Sequence, residues 1–185
     1  MEEVRVSKLI ATTTMTVDGV TDVSGWYVSE GGHDAASREQ FDGAAGMVLG
    51  RKTYEGLAPF WQEQRGPWAD QLNPLPKFVA SRTLQGPLEW NATLIEGDAA
   101  DGVSRLKAEL DGYLILVGCG ELARHLLEHG LVDELRFWLH PAVEGTGARP
   151  YEGVRVLMGL LEARSFDSGV TLLRYAPVGG SSQRG

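Results

Sequence analysis

Three short stretches of the chain carry glycine or residues able to hold an anion, and each follows an apolar run. Val117-Gly118-Cys119-Gly120-Glu121-Leu122-Ala123 reads as the end of a strand, a G-x-G-x-x-A turn and the start of a helix. Glycines in such a turn let a phosphate approach the backbone, and the free N–H groups and positive dipole end of the helix attract its charge. The same spelling also serves as a tight strand-to-helix turn with no ligand. Leu49-Gly50-Arg51-Lys52-Thr53-Tyr54 repeats the arrangement with two cations and a hydroxyl at the helix start. An adjacent Arg and Lys are otherwise an ordinary solvated surface pair. Ala80-Ser81-Arg82-Thr83, behind a run that Lys77 opens, is the third stretch. Lys and Arg total 17 against 25 Asp and Glu, for a net charge of -8. Three strand ends built from Gly, Arg, Lys and Ser in so acidic a chain suggest a dinucleotide lying along one edge of a sheet. A standard Rossmann domain is disfavoured, because the strand Leu135 to His140 ends without the acid that would hold a ribose, and the glycine turn lies far from the N-terminus.

Other residues carry competing chemistry. His125-Leu126-Leu127-Glu128-His129 fits the H-x-x-E-H pattern of inverted zinc peptidases, with two imidazoles on one helical face. Gly130 ends that helix at once, and Leu122, Leu126 and Leu127 form its apolar face, so both histidines are expected at the surface and no metal site is expected. Asp34, at the start of a predicted helix, reads as its N-cap. Asp18, in an Asp-Gly pair, reads as a turn residue. Trp26, Trp61 and Trp68 stand in two long loops, where they either wall an aromatic ligand pocket or pack onto the core.

The rest of the chain must position these groups. Hydrophobic residues make up 43% and charged residues 23%, enough to bury a core without staples. The single cysteine, Cys119, excludes an internal disulfide and a Cys-rich zinc site. The acidic balance argues against nucleic acid. No signal-peptide pattern or membrane-length apolar run is visible, so a soluble, cytoplasmic protein is expected. The segment Val4–Thr14, the runs 47–49, 77–81, 92–96, 113–117 and 135–143, and the pair 156–166 and 170–175 read as strands. Helices are expected over 34–45, after Gly50, over 99–110 and over 121–129, with 20–33 and 59–76 as loops. The alternation followed by a strand-rich end predicts an α/β sheet with an antiparallel C-terminal edge. One domain is expected over 1–178, with 179–185 a flexible tail.

Taken together, Met15-Thr16-Val17-Asp18-Gly19, Leu49 to Tyr54, Lys77 to Thr83 and Val117 to Leu122 resemble the dihydrofolate-reductase-like superfamily. Gly130-Leu131-Val132-Asp133-Glu134-Leu135 and Pro141 to Gly147 make the chain similar, more closely, to stand-alone relatives of the reductase domain of the bifunctional riboflavin deaminase–reductase. The likeness runs from about Val4 to Tyr175 and implies a three-layer α/β/α fold with a mostly parallel central sheet. It also implies NADPH as hydride donor. By resemblance Gly50, Arg51, Lys52, Thr53, Ser81 and Arg82 would take the adenosine 2′-phosphate side, and Val117, Gly118, Cys119, Gly120, Glu121 and Leu122 the pyrophosphate. Ala11, Thr12 and Val17 would border the nicotinamide. A 2′-phosphate needs cations and hydroxyls where NAD would need an acid, so NADPH is expected over NADH.

The same resemblance implies reduction of a C=N or C=O bond in a pterin- or pyrimidine-like heterocycle, with Trp26, Asp34 and Trp61 about the substrate and Asp34 or water as proton source. Glu144 and Thr146 are further cleft candidates by family position. Riboflavin reductases commonly read V-E-G-G where this chain has Val117-Gly118-Cys119-Gly120, and the zinc ligands of a deaminase half are missing. The alternative is an NADP(H)-binding protein without turnover. A homodimer through the apolar C-terminal strands is also expected of such relatives.

Overall fold

The computed structural model describes residues 7–22 and 25–178. The start of the expected Val4–Thr14 strand and the expected tail at 179–185 lie outside the described residues. Eight strands form one sheet: β1 (Lys8–Thr16), β2 (Ala44–Gly50), β3 (Lys77–Ala80), β4 (Ala92–Leu94), β5 (Tyr113–Val117), β6 (Glu134–His140), β7 (Met158–Ser165) and β8 (Thr171–Pro177). Their order across the sheet is β4-β3-β2-β5-β1-β6-β8-β7. The first six run parallel, and β8 pairs antiparallel with both β6 and β7. The expected hairpin across Asp167-Ser168-Gly169 forms between β7 and β8.

Side chains alternate across a strand, so adjacent residues enter opposite layers. Leu9, Ala11, Val48, Leu114 and Leu116 face one way and meet Ala100 and Val103 of α4 (Ala99–Glu109) and Ala123 and Leu126 of α5 (Glu121–Glu128). Ile10, Met47, Leu49, Val79 and Ile115 face the other way, against Tyr54 and Ala58 of α2 (Arg51–Glu63) and Leu72 of α3 (Pro67–Leu72). The central strands β5 and β2 thus need apolar residues at every position, which is why they appear in the sequence as unbroken hydrophobic runs. A smaller cluster sets Ala36 of α1 (Gly32–Glu39) against Trp138, Val170 and Leu172. The result is the expected three-layer α/β/α arrangement.

Two segments differ from the sequence expectation. The helix expected over 34–45 stops at Glu39, because 44–50 is claimed by β2, which is hydrogen-bonded to strands on both sides. Its cap is Gly31, so Asp34 lies in the first turn and is not the N-cap. The stretch 59–76, expected as a loop, is largely helical. Pro59 sits inside α2, whose buried face holds it against the sheet despite the backbone bond that proline removes, and Pro67 opens α3 where its missing N–H costs nothing. Among the described residues, no helix is long and apolar enough to cross a membrane.

Candidate functional site

After β2 the chain turns towards β3 with α2 on one face, and after β5 it crosses to β6 with α5 on the other. The two adjacent strand ends therefore release their helices in opposite directions and leave a crevice between them, the usual ligand position in open α/β sheets. A cavity of about 890 Å³ opens there, lined by the ends of β2, β3 and β5 and the starts of α2, α4 and α5.

The helix starts differ in a way that bears on ligands. α4 is capped by Asp98, whose carboxylate accepts from the Ala100 and Asp101 N–H groups. α2 begins behind Gly50 and α5 behind Gly120, and neither glycine has a side chain to cap the first-turn N–H groups. The first turn of α2 carries Arg51, Lys52 and Thr53 and no acid. Both uncapped helix starts border the cavity, where they are available to an anion. Gly118 lets the turns close on each other: its φ is +103°, and a Cβ there would stand 3.2 Å from Thr53 Oγ1. Gly50 in turn packs beside Leu122. The third strand end is shaped by Ser81, whose hydroxyl accepts from the Thr83 and Leu84 N–H groups and bends the loop around the cavity.

Two of the cations here already have acidic partners. Arg51 bonds Glu55 at 2.9 Å, and Arg82 reaches Glu121 across the cavity at 3.6 Å with both side chains more than 80% exposed. Exposed pairs of this kind are weak and can yield to a phosphate. On the far wall, His125 Nε2 lies 3.5 Å from Asp98. Hydrogen bonds from the Ala100 and Asp101 backbone, and then the neighbouring His125, hold the Asp98 carboxyl below its ordinary range.

Of the residues read from the sequence as cofactor ligands, Gly50, Arg51, Lys52, Thr53, Ser81, Arg82, Val117, Gly118, Gly120, Glu121 and Leu122 all line this one cavity. The others do not. Ala11 is buried in the sheet, and Thr12 uses its hydroxyl to accept the Trp138 indole N–H. Val17 is exposed on the loop after β1. Cys119 is half-buried beside the Thr21 and Thr13 hydroxyls, and burial pushes its thiol pKa up.

The expected substrate residues lie outside the cavity lining. Asp34 Oδ1 accepts from Trp68 Nε1 at 2.7 Å, and its other oxygen pairs with Arg38 at 3.4 Å. Trp61 packs against Trp68. Trp26 is buried, donates to the Asp22 carbonyl and sets its edge on His140. All three tryptophans thus have packing roles.

Sequence reasoning missed two features. His125, expected at the surface with His129, instead faces the cavity and Asp98, because the turn before α4 folds back over α5. Among the described residues, no three potential metal ligands come together. The second is a buried imidazole pair: His33 bonds the Val28 carbonyl and Ser168, and His140 Nδ1 accepts the Val28 N–H. That last bond places the His140 proton on Nε2, and burial followed by the neighbouring His33 pushes its pKa down to about 4. Alternation along β6 could have flagged His140 as inward-facing, but nothing local linked it to His33.

A family model described as the RibD C-terminal domain matches residues 7–172. The chain belongs to this family. It is 27% identical over 136 residues to the uncharacterized Bacillus subtilis (strain 168) protein YyaP, covering 70% of this chain and 72% of that one. Among solved structures, a Shewanella sp. PV-4 protein named for riboflavin biosynthesis superposes with a TM-score of 0.67 at 18% identity, covering 93% of this chain and 99% of that one. A pyrimidine reductase-like protein of Corynebacterium diphtheriae gives 0.62 at 14% identity, covering 94% and 92%. The Thermotoga maritima diaminohydroxyphosphoribosylaminopyrimidine deaminase/5-amino-6-(5-phosphoribosylamino)uracil reductase gives 0.68 at 13% identity. Its structure covers 94% of this chain, which spans only 57% of that bifunctional protein. At these identities the structural likeness establishes the fold: a mostly parallel α/β sheet with an antiparallel edge pair, common to this family.

Proposed function

We propose that this protein is an NADPH-dependent reductase acting on a C=N or C=O bond of a pterin- or pyrimidine-like small molecule. The observation that carries the reading is the meeting of two uncapped helix starts, behind Gly50 and Gly120, in one cavity with Arg51, Lys52, Ser81 and Arg82. The site fits a phosphorylated dinucleotide. Gly118 leaves open a place that a Cβ would fill, and the donors are cationic or hydroxylic. Bound NADPH would supply a hydride from its nicotinamide ring.

The chain's own residues would then do three things. The first-turn N–H groups of α5 hold the pyrophosphate, with Gly118 keeping the turn close. Arg51, Lys52, Ser81 and Arg82 take the 2′-phosphate, where an NAD site would place an acid. The sheet edge beyond Val117 aligns the acceptor. Asp34 or water would provide the proton, and Trp26 and Trp61 would flank the heterocycle. The partners that fit are a small heterocyclic substrate and a second copy of the chain, in a cytoplasmic setting, with neither nucleic acid nor membrane. Among the described residues the outer edge of β7 pairs with no other strand, and the exposed Leu157, Leu160 and Leu161, on that strand or just before it, are apolar surface that a two-fold partner would cover.

A specific observation favours one alternative, an NADP(H)-binding protein without turnover: Trp26, Asp34 and Trp61 do not share the phosphate cavity. Titration of NADPH and NADH into wild type and Arg51→Ala, followed by tryptophan fluorescence, tests the cofactor reading. Tight binding of NADPH, weak binding of NADH and loss of that preference in the variant are expected. Oxidation of bound NADPH by any of a panel of pterins and pyrimidines separates the reductase from the binding protein.

A further inference from the structure

Residues 25–31, between β1 and α1, belong to no helix or strand, yet side chains from distant elements pin this segment at several points. The Val28 peptide is held on both sides. Its N–H donates to His140 Nδ1 at 3.1 Å, and its carbonyl accepts from His33 Nε2 at 2.9 Å. Ser168, in the turn between β7 and β8, bonds His33 Nδ1 at 2.8 Å, and Asp167 of the same turn accepts the Gly32 N–H at 3.1 Å. Gly31 passes so near that a Cβ there would stand 2.8 Å from Ser168 Cβ. Both imidazoles are buried, and their hydrogen bonds go to this loop peptide.

What this framework fixes in place is Tyr27. Its ring lies on that of His140, with centroids 4.8 Å apart and planes 27° apart, while Trp26 meets His140 edge-on at 5.4 Å. Trp26 is buried, but Tyr27 keeps 46% of its surface with one face on His140, and so has surface left for a second flat ring. Burial, and then the charge of Asp34, raise the Tyr27 phenol pKa, which sets its hydroxyl in the field of that carboxylate. Asp34 accepts in turn from Trp68, which packs against Trp61. A half-exposed aromatic side chain on a firmly held loop suits the recognition of a planar ligand.

We propose, on the reductase reading given above, that Tyr27 is the platform on which the substrate heterocycle stacks, and that His33 and His140 are positioning residues that hold it there through the Val28 peptide. Trp26 then stands behind the platform and Asp34 beside it. A planar ring gains from both the buried area and the π contact, and a platform set in advance spares the cost of ordering the loop at binding.

Calorimetric titration of pterin and of 5-aminouracil into the purified full chain, with NADP⁺ present, tests this. Wild type is expected to bind at least one of them. Tyr27→Ala should weaken that ligand at least about tenfold, and Tyr27→Phe should stay within about twofold of wild type. Tyr27 is half-exposed, so both variants are expected to fold. His140→Phe keeps a ring behind Tyr27 but cannot accept from Val28. It should weaken the same ligand and speed hydrogen exchange of the Val28 amide, which His140→Asn, with an oxygen in place of Nδ1, should slow again. Adenosine 2′,5′-bisphosphate, which probes the phosphate groups, should bind every variant as it binds wild type. Undiminished heterocycle binding in Tyr27→Ala overturns the platform, and undiminished binding in a folded His140→Phe overturns the positioning role. If wild type binds the bisphosphate but neither heterocycle, the platform falls while the cofactor reading stands. If it binds none of the three, both fall.

Discussion

Gly118 and Asp18 show how much a single residue can carry at the edge of this sheet. Gly118 occupies a backbone region closed to most side chains, and a methyl group there would press on Thr53. Gly118→Ala should destabilise the fold by about 1–2 kcal/mol and weaken NADPH binding, as read by chemical unfolding and titration. Asp18 is a clamp. Its carboxylate accepts from Thr16 Oγ1 at 2.5 Å, Gly145 N–H at 2.8 Å and Glu144 N–H at 3.2 Å, tying the loop after β1 to the loop after β6. Those bonds, that from Thr16 foremost, lower its pKa from 3.8 to about 2. A depressed carboxylate contributes stability that is full above the unfolded value and is lost as pH falls through the folded one. Between pH 5 and pH 2 the melting temperature of wild type should therefore fall more steeply than that of Asp18→Asn.

At the scale of elements, α3 and β3 are joined by a buried lysine. Lys77 is fully enclosed, and its ammonium donates to the Leu72 and Asn73 carbonyls at the end of α3, with the Trp90 ring 4.1 Å away. Cations suit a helix C-terminus, but burial lowers the Lys77 pKa from 10.5 to about 8. Below pH 8 both folded and unfolded chains carry the proton. Between 8 and 10.5 the unfolded chain binds more protons, so stability should rise with pH over that window. The neutral amine still has hydrogens for both carbonyls. Urea midpoints at pH 7.5 and 9.5 check this, and Lys77→Met should remove the rise. Sequence reading placed Lys77 at the start of the third anion-binding stretch, yet its carbonyl partners lie across the turn from α3, a helix that was itself read as loop because of its prolines.

For the whole molecule, the sheet ends on the three-residue β4 at one side and on the longer β7 at the other. Leu157 is 79% exposed, and Leu160 and Leu161 are more than half exposed on the outer strand β7. If a second copy covers this edge, sedimentation should give a dimer for wild type, and Leu160→Asp with Leu161→Asp should give a folded monomer. A wild-type monomer would remove the homodimer from the proposed function. The cavity lies towards the opposite side of the sheet, at β2, β3 and β5, so the dissociated variant should bind the proposed cofactor as wild type does.

Most of the fold was legible along the chain, because local patterns follow directly from the layers that strands and helices enter. The unbroken run Tyr113 to Val117 announces a strand covered on both faces, and the glycines after Leu49 and Val117 mark two turns into helices. Those turns also pointed to one end of the cavity, since a helix start behind a glycine is written in consecutive residues. Sequence reading did not reach the sites made by distant segments. His125 turns from surface histidine to cavity wall because Asp98, 27 positions earlier, is folded against it. Asp34, open in the sequence to two roles, is taken up by Trp68 from another helix. Trp26 and His140 meet over a gap of more than a hundred residues. Periodicity tells which face of an element is apolar, but the partner opposite a polar group is chosen by the order of strands in the sheet, and that order is a property of the packed chain.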